Sequence, residues 1–283
     1  MTASPGPWSD LDRPPLRERA LRQALAGPGG PWTRLDVTPR TGSTNADLAA
    51  AARAGDARPG TVLIAEEQHS GRGRLDRAWS APPRSGLFFS VLLRPAPAVP
   101  DERVGWLPLL AGVAAATALA RAAGVDTSLK WPNDVLVAVG GEERKLGGIL
   151  AERVADGAVV LGIGLNVSLR AEELPVPAAG SLLLAGAVST DRDPLLRAVL
   201  RSLADWYERW TEAGGDPVAS GLIDAYAAGC STLGRRVRAE LPGGGELRGV
   251  AAALDAEGRL VIEGDDGGRH EVAAADIIHL RPT

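Results

Sequence analysis

Cysteine is almost absent from this sequence of 283 residues. Cys230 stands alone, so no internal disulfide and no multi-cysteine metal site can form, and we expect it to be a small buried apolar residue. Histidine is scarce too, and the scattered His69, His270 and His279 are expected to be surface residues rather than catalysts. No Ser-His-Asp set, zinc pattern or paired-carboxylate site stands out. Chemistry that depends on proton transfer by side chains is therefore not indicated.

Lysine is also rare, although arginine is abundant. Of the 31 lysines and arginines only two are lysines, and asparagine and glutamine occur three times and twice. An ammonium and a guanidinium are not equivalent, so these few residues are candidates for functions that arginine cannot perform. The alternative is that these few residues have no special function and remain in turns by chance. The residues concerned are Lys130, Lys145, Asn45, Asn133, Asn166, Gln23 and Gln68.

A basic domain and a long apolar run are missing as well. The formal net charge of -4 argues against a protein that coats DNA. The longest apolar run, residues 107–120, contains Pro108 and is shorter than the roughly 20 residues of a membrane span. The first residues lack the pattern of a signal peptide. We therefore expect a cytoplasmic protein with no membrane contact and no specific nucleic-acid partner.

Strand and helix patterns alternate along most of the chain, and after Cys230 only short strand patterns remain. Residues 1–31 are expected to be a poorly ordered tail with one possible helix (16–26) and no clear core. After Cys230, short strand-like pieces between glycine turns predict a small antiparallel barrel, residues 231–283, behind an α/β body, residues 32–230. The predicted strands of the body are 60–66, 86–95, 134–139, 145–154 and 158–169, and its predicted helices are 102–123, a stretch behind Pro194, and 217–228.

The strand predicted at 158–169 can be divided into two faces, because side chains alternate along a strand. One face is aliphatic and suits the core. The other carries Gly162, Gly164 and Asn166, which leaves room against the backbone. A closely packed helix or a flat ligand such as a nucleobase would fit that space.

The two lysines lie in the segments "KWPNDVLV" and "RKLGGILAE", which are predicted to form consecutive strands joined by the turn "AVGGEE". Lys145 and Gly147 are predicted to share one face, so that the lysine overlooks a strip where a ligand can approach closely. Both lysines could instead be solvated strand ends. Asp134 could help to hold Mg²⁺, as expected of a single carboxylate beside a nucleotide.

Two polar segments remain. Ser43, Thr44 and Asn45 precede a predicted helix, where they could be a plain N-cap or could receive a polar ligand. In "HSGRGRLDRAW", residues 69–79, three arginines lie close together between glycines and a tryptophan. A solvated turn, a nucleic-acid arm or a loop that closes over a phosphate-bearing ligand would explain them.

Taken together, these motifs resemble those of biotin protein ligases. The resemblance covers residues 32–283 in order and lies in "STN", "EEQHSGRGRLDRAW", "GLFFSVLLRP", "KWPNDVLV", "KLGGILAE" and "GIGLNV". It implies an α/β (α+β) catalytic domain with a mixed sheet, followed by an SH3-like barrel. It also implies the use of biotin, ATP and Mg²⁺, with biotin carboxyl carrier domains of acyl-CoA or pyruvate carboxylases as partners.

The resemblance assigns roles to particular residues. Lys145, Arg74 and Arg72 would act at the reacting centre, and Asp134 would be the magnesium ligand. The implied biotin-binding residues are Ser43, Thr44, Asn45, Gln68, Gly71, Arg72, Gly73, Arg74, Lys145, Gly147 and Gly148. The implied ATP- or adenylate-binding residues are Arg72, Arg74, Arg77, Trp79, Lys130, Asn133 and Asn166.

The sequence departs from the family pattern at three places. The turn before "KLGG" is long, which leaves the placement of Lys145 open. Asp76 stands where the family loop often has a second glycine, so we expect a stiffer and less positive loop. The tail is shorter than a winged helix-turn-helix, so we expect no repressor role. The alternatives are a lipoate or octanoate ligase or transferase of the same superfamily, and a non-enzymatic biotin sensor or DNA-binding regulator.

Overall fold

A computed structural model describes residues 13–27, 30–95, 97–242 and 244–280. Strands of the first part of the chain are β1 (Arg34–Thr38), β2 (Thr61–Ala65), β3 (Gly71–Arg72), β4 (Ala78–Trp79), β5 (Gly86–Leu93), β6 (Thr127–Lys130), β7 (Asp134–Val139), β8 (Glu142–Arg153) and β9 (Val159–Asn166). Those of the last part are β10 (Arg236–Glu240), β11 (Glu246–Leu254), β12 (Leu260–Gly264), β13 (Arg269–Val272) and β14 (Asp276–His279). Helices are α1 (Glu18–Leu25), α2 (Thr44–Ala54), α3 (Trp106–Ala123), α4 (Arg192–Glu212) and α5 (Leu222–Gly229).

The main sheet has seven strands in the order β1-β2-β5-β9-β8-β7-β6. β1 and β2 run parallel, whereas the pairings from β2 to β5 and onward are antiparallel. This confirms the predicted mixed sheet. All residues of the interior strand β5 are buried, as expected for a strand covered on both faces.

Local signals predict the ends of α2 and α3, whereas two helices of the body begin later than predicted. The Ser43 side chain accepts a hydrogen bond from Ala46 N and caps α2, and Gly55 ends that helix in the left-handed conformation at φ 80°. α3 begins at Trp106 rather than at residue 102, because residues 101–105 form a 3-10 turn. Gly124 ends α3 as predicted. The last helix of the body begins at Leu222 rather than at residue 217, behind Gly221 at φ 71°.

α3 is the central core helix. Its apolar residues pack in one large cluster with α4, α5 and one face of the sheet. By length and composition the segment Asp101–Ala123 could cross a membrane, but 67% of its most apolar window is buried inside the protein. On the opposite face of the sheet, Leu48 and Ala49 of α2 pack against Leu92 and Val160 in a smaller cluster.

The β7–β8 hairpin differs from its prediction in two ways. Its turn is only Gly140–Gly141, both at positive φ, so β8 begins at Glu142 rather than at residue 145. The pairing register then shifts by one residue, because Val135 pairs with Gly147 but Leu136 pairs with Lys145. This β-bulge overturns the prediction that Lys145 and Gly147 share a face. Gly148 instead lies beside the Lys145 side chain.

The last five strands form an antiparallel sheet in the order β13-β12-β11-β10-β14, with a register shift in β11. This confirms the predicted SH3-like barrel. Tryptophans anchor it to the body: Trp106 Nε1 donates to Ala256 O at 2.9 Å, and Trp131 Nε1 donates to Gly258 O at 3.0 Å. Cys230 is buried near the boundary, as expected. His279 is half-buried there and hydrogen-bonded, which corrects the expectation of a surface histidine.

The described part of the N-terminal segment is docked on the body, contrary to prediction. Leu16 and Leu21 are buried in the main core, and the helix is α1 rather than 16–26. Arg192 donates to Glu66 at 2.6 Å and to Pro14 O at 2.7 Å. Sequence patterns missed this because two apolar residues and carbonyl acceptors carry little signal. Residues 1–12 and 28–29 lie outside the described residues.

Candidate active site

A cavity of about 660 Å³ opens on the glycine-bearing face of the sheet. Its walls come from α2, the loop between β2 and β5, the strands β8 and β9, and the barrel. The volume falls in the range of small-molecule sites. The predicted site residues that line it are Ser43, Thr44, Asn45, Gln68, Arg72, Gly73, Arg74, Arg77, Trp79, Lys130, Asn133, Asp134, Lys145, Gly148 and Asn166.

Two predicted binding residues lie behind this lining rather than in it. A Cβ at Gly71 would be 2.6 Å from Trp79 O, which reflects the tight pairing of β3 with β4. A Cβ at Gly147 would be 2.6 Å from Gly164 O, because the bulge turns this residue toward β9. Both glycines are therefore required by close packing of the protein backbone.

One end of the cavity is polar and closely hydrogen-bonded. Gln68 Oε1 accepts from Thr44 N at 2.8 Å and lies 3.1 Å from Thr44 Oγ1. This fixes the orientation of the Gln68 amide. Ser43 caps α2 and lines the cavity as well, so its two alternative interpretations are compatible. Phe89, Ile149 and Ile163 also border this end, but their side chains are buried in the main core on the other face of the sheet.

Asn45 uses its amide within the protein. Its Nδ2 donates to Leu150 O at 3.2 Å and to Glu152 Oε2 at 2.7 Å, and its Oδ1 lies 2.6 Å from Ser90 Oγ. A Cβ at Gly162 would be only 2.1 Å from Asn45 Oδ1. The glycine is therefore needed to accommodate Asn45, a bridging residue at the edge of the cavity.

The glycine face of β9 is occupied by three different neighbours. Val160 lies under α2, as the helix interpretation predicted. Gly162 faces Asn45, and a Cβ at Gly164 would be 3.1 Å from the Trp79 ring. The Trp79 indole nitrogen is buried and has no hydrogen-bond partner among the described residues. The nitrogen packs on Gly164, so a ligand in the cavity meets the Trp79 ring rather than this donor.

The arginine loop, residues 71–79, is held by its two short strands and reaches the barrel. Arg74 lies 3.3 Å from Asn133 Oδ1 and 3.3 Å from Ala275 O, and Arg77 forms an ion pair with Asp276. Burial lowers the pKa of the Arg74 guanidinium from its usual value, although Asp276 opposes the shift. Leu75 sits at φ 53° with its side chain 61% exposed. The Asp76 side chain lies outside the described part.

The cationic end of the cavity centres on the two lysines. Lys145 Nζ is 2.6 Å from Asp134 Oδ1 and 5.9 Å from the centre of the Trp79 ring. Burial lowers the pKa of Lys130, and the Lys145 charge lowers it further against the pull of Asp134. Five cationic and three acidic side chains line the cavity. This excess of positive charge suits an anionic ligand.

Sequence patterns missed two walls of the cavity. One is the segment 175–179, which is held to β8 by Lys145 N donating to Ala178 O at 2.7 Å. The other is residues 275–278 of the barrel, together with Glu240. Neither carries a motif, and only the packing of distant parts of the chain brings them to the site.

Comparison with known proteins decides the family. The family model for the biotin/lipoate A/B protein ligase family matches residues 37–168, and that for the biotin protein ligase C-terminal domain matches residues 232–280. The chain is 47% identical over 276 residues to the biotin–[acetyl-CoA-carboxylase] ligase of Mycobacterium tuberculosis, covering 96% of this chain and 98% of that protein. The chain belongs to the biotin/lipoate A/B protein ligase family.

Further members support this placement. The bifunctional ligase/repressor BirA of Escherichia coli is 31% identical over 236 residues, which cover 81% of this chain and 69% of BirA. The biotin protein ligase from Aquifex aeolicus, solved in complex with biotin and ATP, has a TM-score of 0.72 and 27% identity, and the match covers 89% of this chain and 100% of that chain. Both the body and the barrel of this biotin protein ligase fold are therefore present.

Proposed function

We propose that the protein activates biotin with ATP and transfers it to a lysine of a biotin carboxyl carrier domain. The observation that supports this best is that one cavity joins two different ends. Gln68 and Thr44 form a fixed polar end, and Lys145 and Arg74 form a cationic end. A ureido ring suits the first end, and a carboxylate and phosphates suit the second. The 47% identity to a biotin–[acetyl-CoA-carboxylase] ligase supports the same substrate.

In the first step, a biotin carboxylate oxygen attacks the α-phosphorus of ATP. The bond to pyrophosphate breaks, and biotinyl-5'-AMP and pyrophosphate form. Arg72, Arg74 and Lys145 stabilise the negative charge that grows on the phosphorus centre, because fixed positive charges in a partly buried site need no reorganisation. Trp79 lies beside the adenine and offers it the indole ring.

In the second step, the amine of the carrier lysine attacks the acyl carbonyl. The bond to AMP breaks, an amide forms, and the amine loses a proton. The arginine loop stays closed over the adenylate between the two steps and shields it from water. Carrier domains of acyl-CoA or pyruvate carboxylases are the proposed acceptors. A cytoplasmic location is also proposed, in keeping with a chain that can form no internal disulfide.

Magnesium is proposed to enter with ATP. Among the described residues, no group of three or more His, Cys, Asp or Glu side chains is arranged to hold a metal. Asp134 supplies one carboxylate at the cationic end. One carboxylate fits an ion that keeps several waters and is bound mainly by substrate phosphates, where it supplies charge neutralisation.

The direct test is incubation of the protein with biotin, Mg·ATP and a carrier domain, followed by detection of biotin on the carrier. Biotinylation that requires ATP supports the proposal. Lipoate in place of biotin is the matched control, and preferential transfer of lipoate would favour the related ligase instead. Biotin binding without pyrophosphate release would indicate a sensor rather than an enzyme.

A further inference from the structure

Glu152, near the end of β8, joins two parts of the site although it does not line the cavity. Its Oε2 accepts from Asn45 Nδ2 at 2.7 Å, and its Oε1 accepts from Arg72 at 3.3 Å. The side chains of Glu152 and Arg72 are 28% and 43% exposed. Each carboxylate oxygen therefore faces a different functional segment, α2 on one side and the arginine loop on the other.

The Asn45 side of this arrangement is rigid. Asn45 is buried and is wedged against Gly162, where a Cβ would be 2.1 Å from its Oδ1. Its Nδ2 is also tied to Leu150 O at 3.2 Å. A carboxylate bonded to such an amide has a fixed position, so Glu152 offers the loop a fixed negative charge.

The same contacts continue to the polar end of the cavity. Asn45 Oδ1 lies 2.6 Å from Ser90 Oγ, which lies 2.7 Å from Thr44 Oγ1. Thr44 in turn donates from its backbone nitrogen to Gln68 Oε1. Hydrogen bonds therefore lead from the loop arginine to the Thr44 hydroxyl, and the Thr44 backbone nitrogen continues the connection to Gln68 at the proposed biotin end.

We propose that Glu152 is a positioning residue that holds Arg72 over the cavity and ties its placement to the biotin-binding end. The proposal rests on the proposed function of the cavity. Arg72 lies on a strand of only two residues and carries a long flexible side chain, so an anchor reduces the conformational entropy that it loses when a ligand carboxylate or phosphate binds.

A neighbouring ion pair provides the control. Arg153, next to Glu152, is 3.3 Å from Asp101, the same N–O distance as in the Arg72–Glu152 pair. The Asp101 side chain is 74% exposed, and neither partner lines the main cavity. Asp101→Asn removes an ion pair of equal length from the same strand without touching the site.

The test measures biotin binding by calorimetry and turnover by carrier biotinylation. Glu152→Gln keeps an acceptor for Asn45 and removes the charge that Arg72 contacts. We expect Kd and KM for biotin to rise about three- to fivefold, the range that a partly exposed ion pair allows. Because Arg72 also acts at the reacting centre, kcat should fall by no more than the same factor, and the melting temperature should stay near wild type. Asp101→Asn should leave all four quantities unchanged.

A double-mutant cycle separates positioning from a general structural role. Arg72→Ala should weaken biotin binding by itself, and adding Glu152→Gln to Arg72→Ala should weaken it no further. Glu152→Ala is the second variant, with the same expected direction, should Glu152→Gln fold poorly. Equal effects of the glutamine substitution with and without Arg72, or an unchanged Kd in the single variant, would overturn the proposal.

The binding measurement also separates a failure of the Glu152 proposal from a failure of the proposed catalytic function. If the wild type binds biotin but transfers none to a carrier, the catalytic proposal fails while the cycle on Kd still decides the role of Glu152. If the wild type does not bind biotin, both proposals are overturned.

Discussion

The protein uses arginine–carboxylate pairs in two regions with opposite surroundings. Under the N-terminal segment, Arg192 and Glu66 are 5% and 9% exposed, and each makes further hydrogen bonds to the backbone. In the arginine loop, the side chains of Arg72 and Arg77 are 43% and 65% exposed. The residue types are the same, and burial is the difference.

Burial decides what each kind of pair can do. A buried pair cannot lose one partner without leaving a charge out of water, so it is a permanent part of the structure. An exposed pair is worth about 1 kcal/mol or less, so a ligand carboxylate or phosphate can replace the protein carboxylate. The first region therefore fixes the body. In the second region Arg77 can exchange Asp276 for a ligand anion during the reaction, whereas Glu152 keeps Arg72 in place.

The largest effect is expected at Lys145, whose Asp134 partner is also exchangeable. Lys145→Ala should reduce adenylate formation by at least about a hundredfold, because it removes a fixed charge beside the reacting phosphorus. Pyrophosphate release measures this, and circular dichroism should show an intact fold. Near-normal pyrophosphate release would remove Lys145 from the reacting centre.

The buried region should respond in stability. Arg192→Ala leaves the Glu66 carboxylate buried without its cation, and we expect the free energy of unfolding to fall by about 3–5 kcal/mol. The matched control in the exposed region, Arg77→Ala, should cost less than about 1 kcal/mol. Urea denaturation measures both. Equal losses for the two variants would show that burial does not separate the two regions.

The junction of body and barrel should show a smaller, pH-dependent effect. His279 Nε2 lies 3.1 Å from Thr232 Oγ1, and Nδ1 lies 3.2 Å from the Arg235 guanidinium. Arginine cannot accept a hydrogen bond, so Nδ1 is the acceptor and a protonated ring would oppose Arg235. Burial, assisted by the charges of Lys130 and Arg235, lowers the pKa of His279 from 6.5 to about 4.

The lowered pKa of His279 determines how its contribution to stability changes with pH. Between pH 6.5 and 4 the unfolded chain binds a proton at His279 more readily than the folded chain, so this residue's contribution to stability is lost as the pH falls. His279→Asn should therefore lose less stability than the wild type between pH 7 and pH 5 in urea denaturation. An equal loss in both proteins would contradict the assignment.

The sequence predicted the parts of the site that carry motifs. Residue types that the composition otherwise avoids, such as Lys145 and Asn133, do line the cavity. The sequence did not reveal the bulge that places Gly148 rather than Gly147 beside Lys145, because a one-residue register shift depends on the partner strand. The anchoring of the N-terminal segment by Arg192 was also missed, since such contacts join residues far apart in sequence.

Glu152 was overlooked for a related reason. Glu152 is the last residue of the motif "KLGGILAE", but the motif assigned it no role, because that role arises only from the two partners that the fold brings to it. The motif marks the segment, whereas the contact of Glu152 with Arg72 is found only from the structure.

The central claim is that the loop exchanges its partners while the buried region stays fixed. Hydrogen–deuterium exchange with and without biotin plus Mg·ATP tests both halves in one measurement. We predict that backbone amides of residues 71–79 gain protection with the ligands, while those of residues 16–25 keep the same slow exchange. Equal exchange of the loop in both states, or a ligand-dependent change in residues 16–25, would contradict the account.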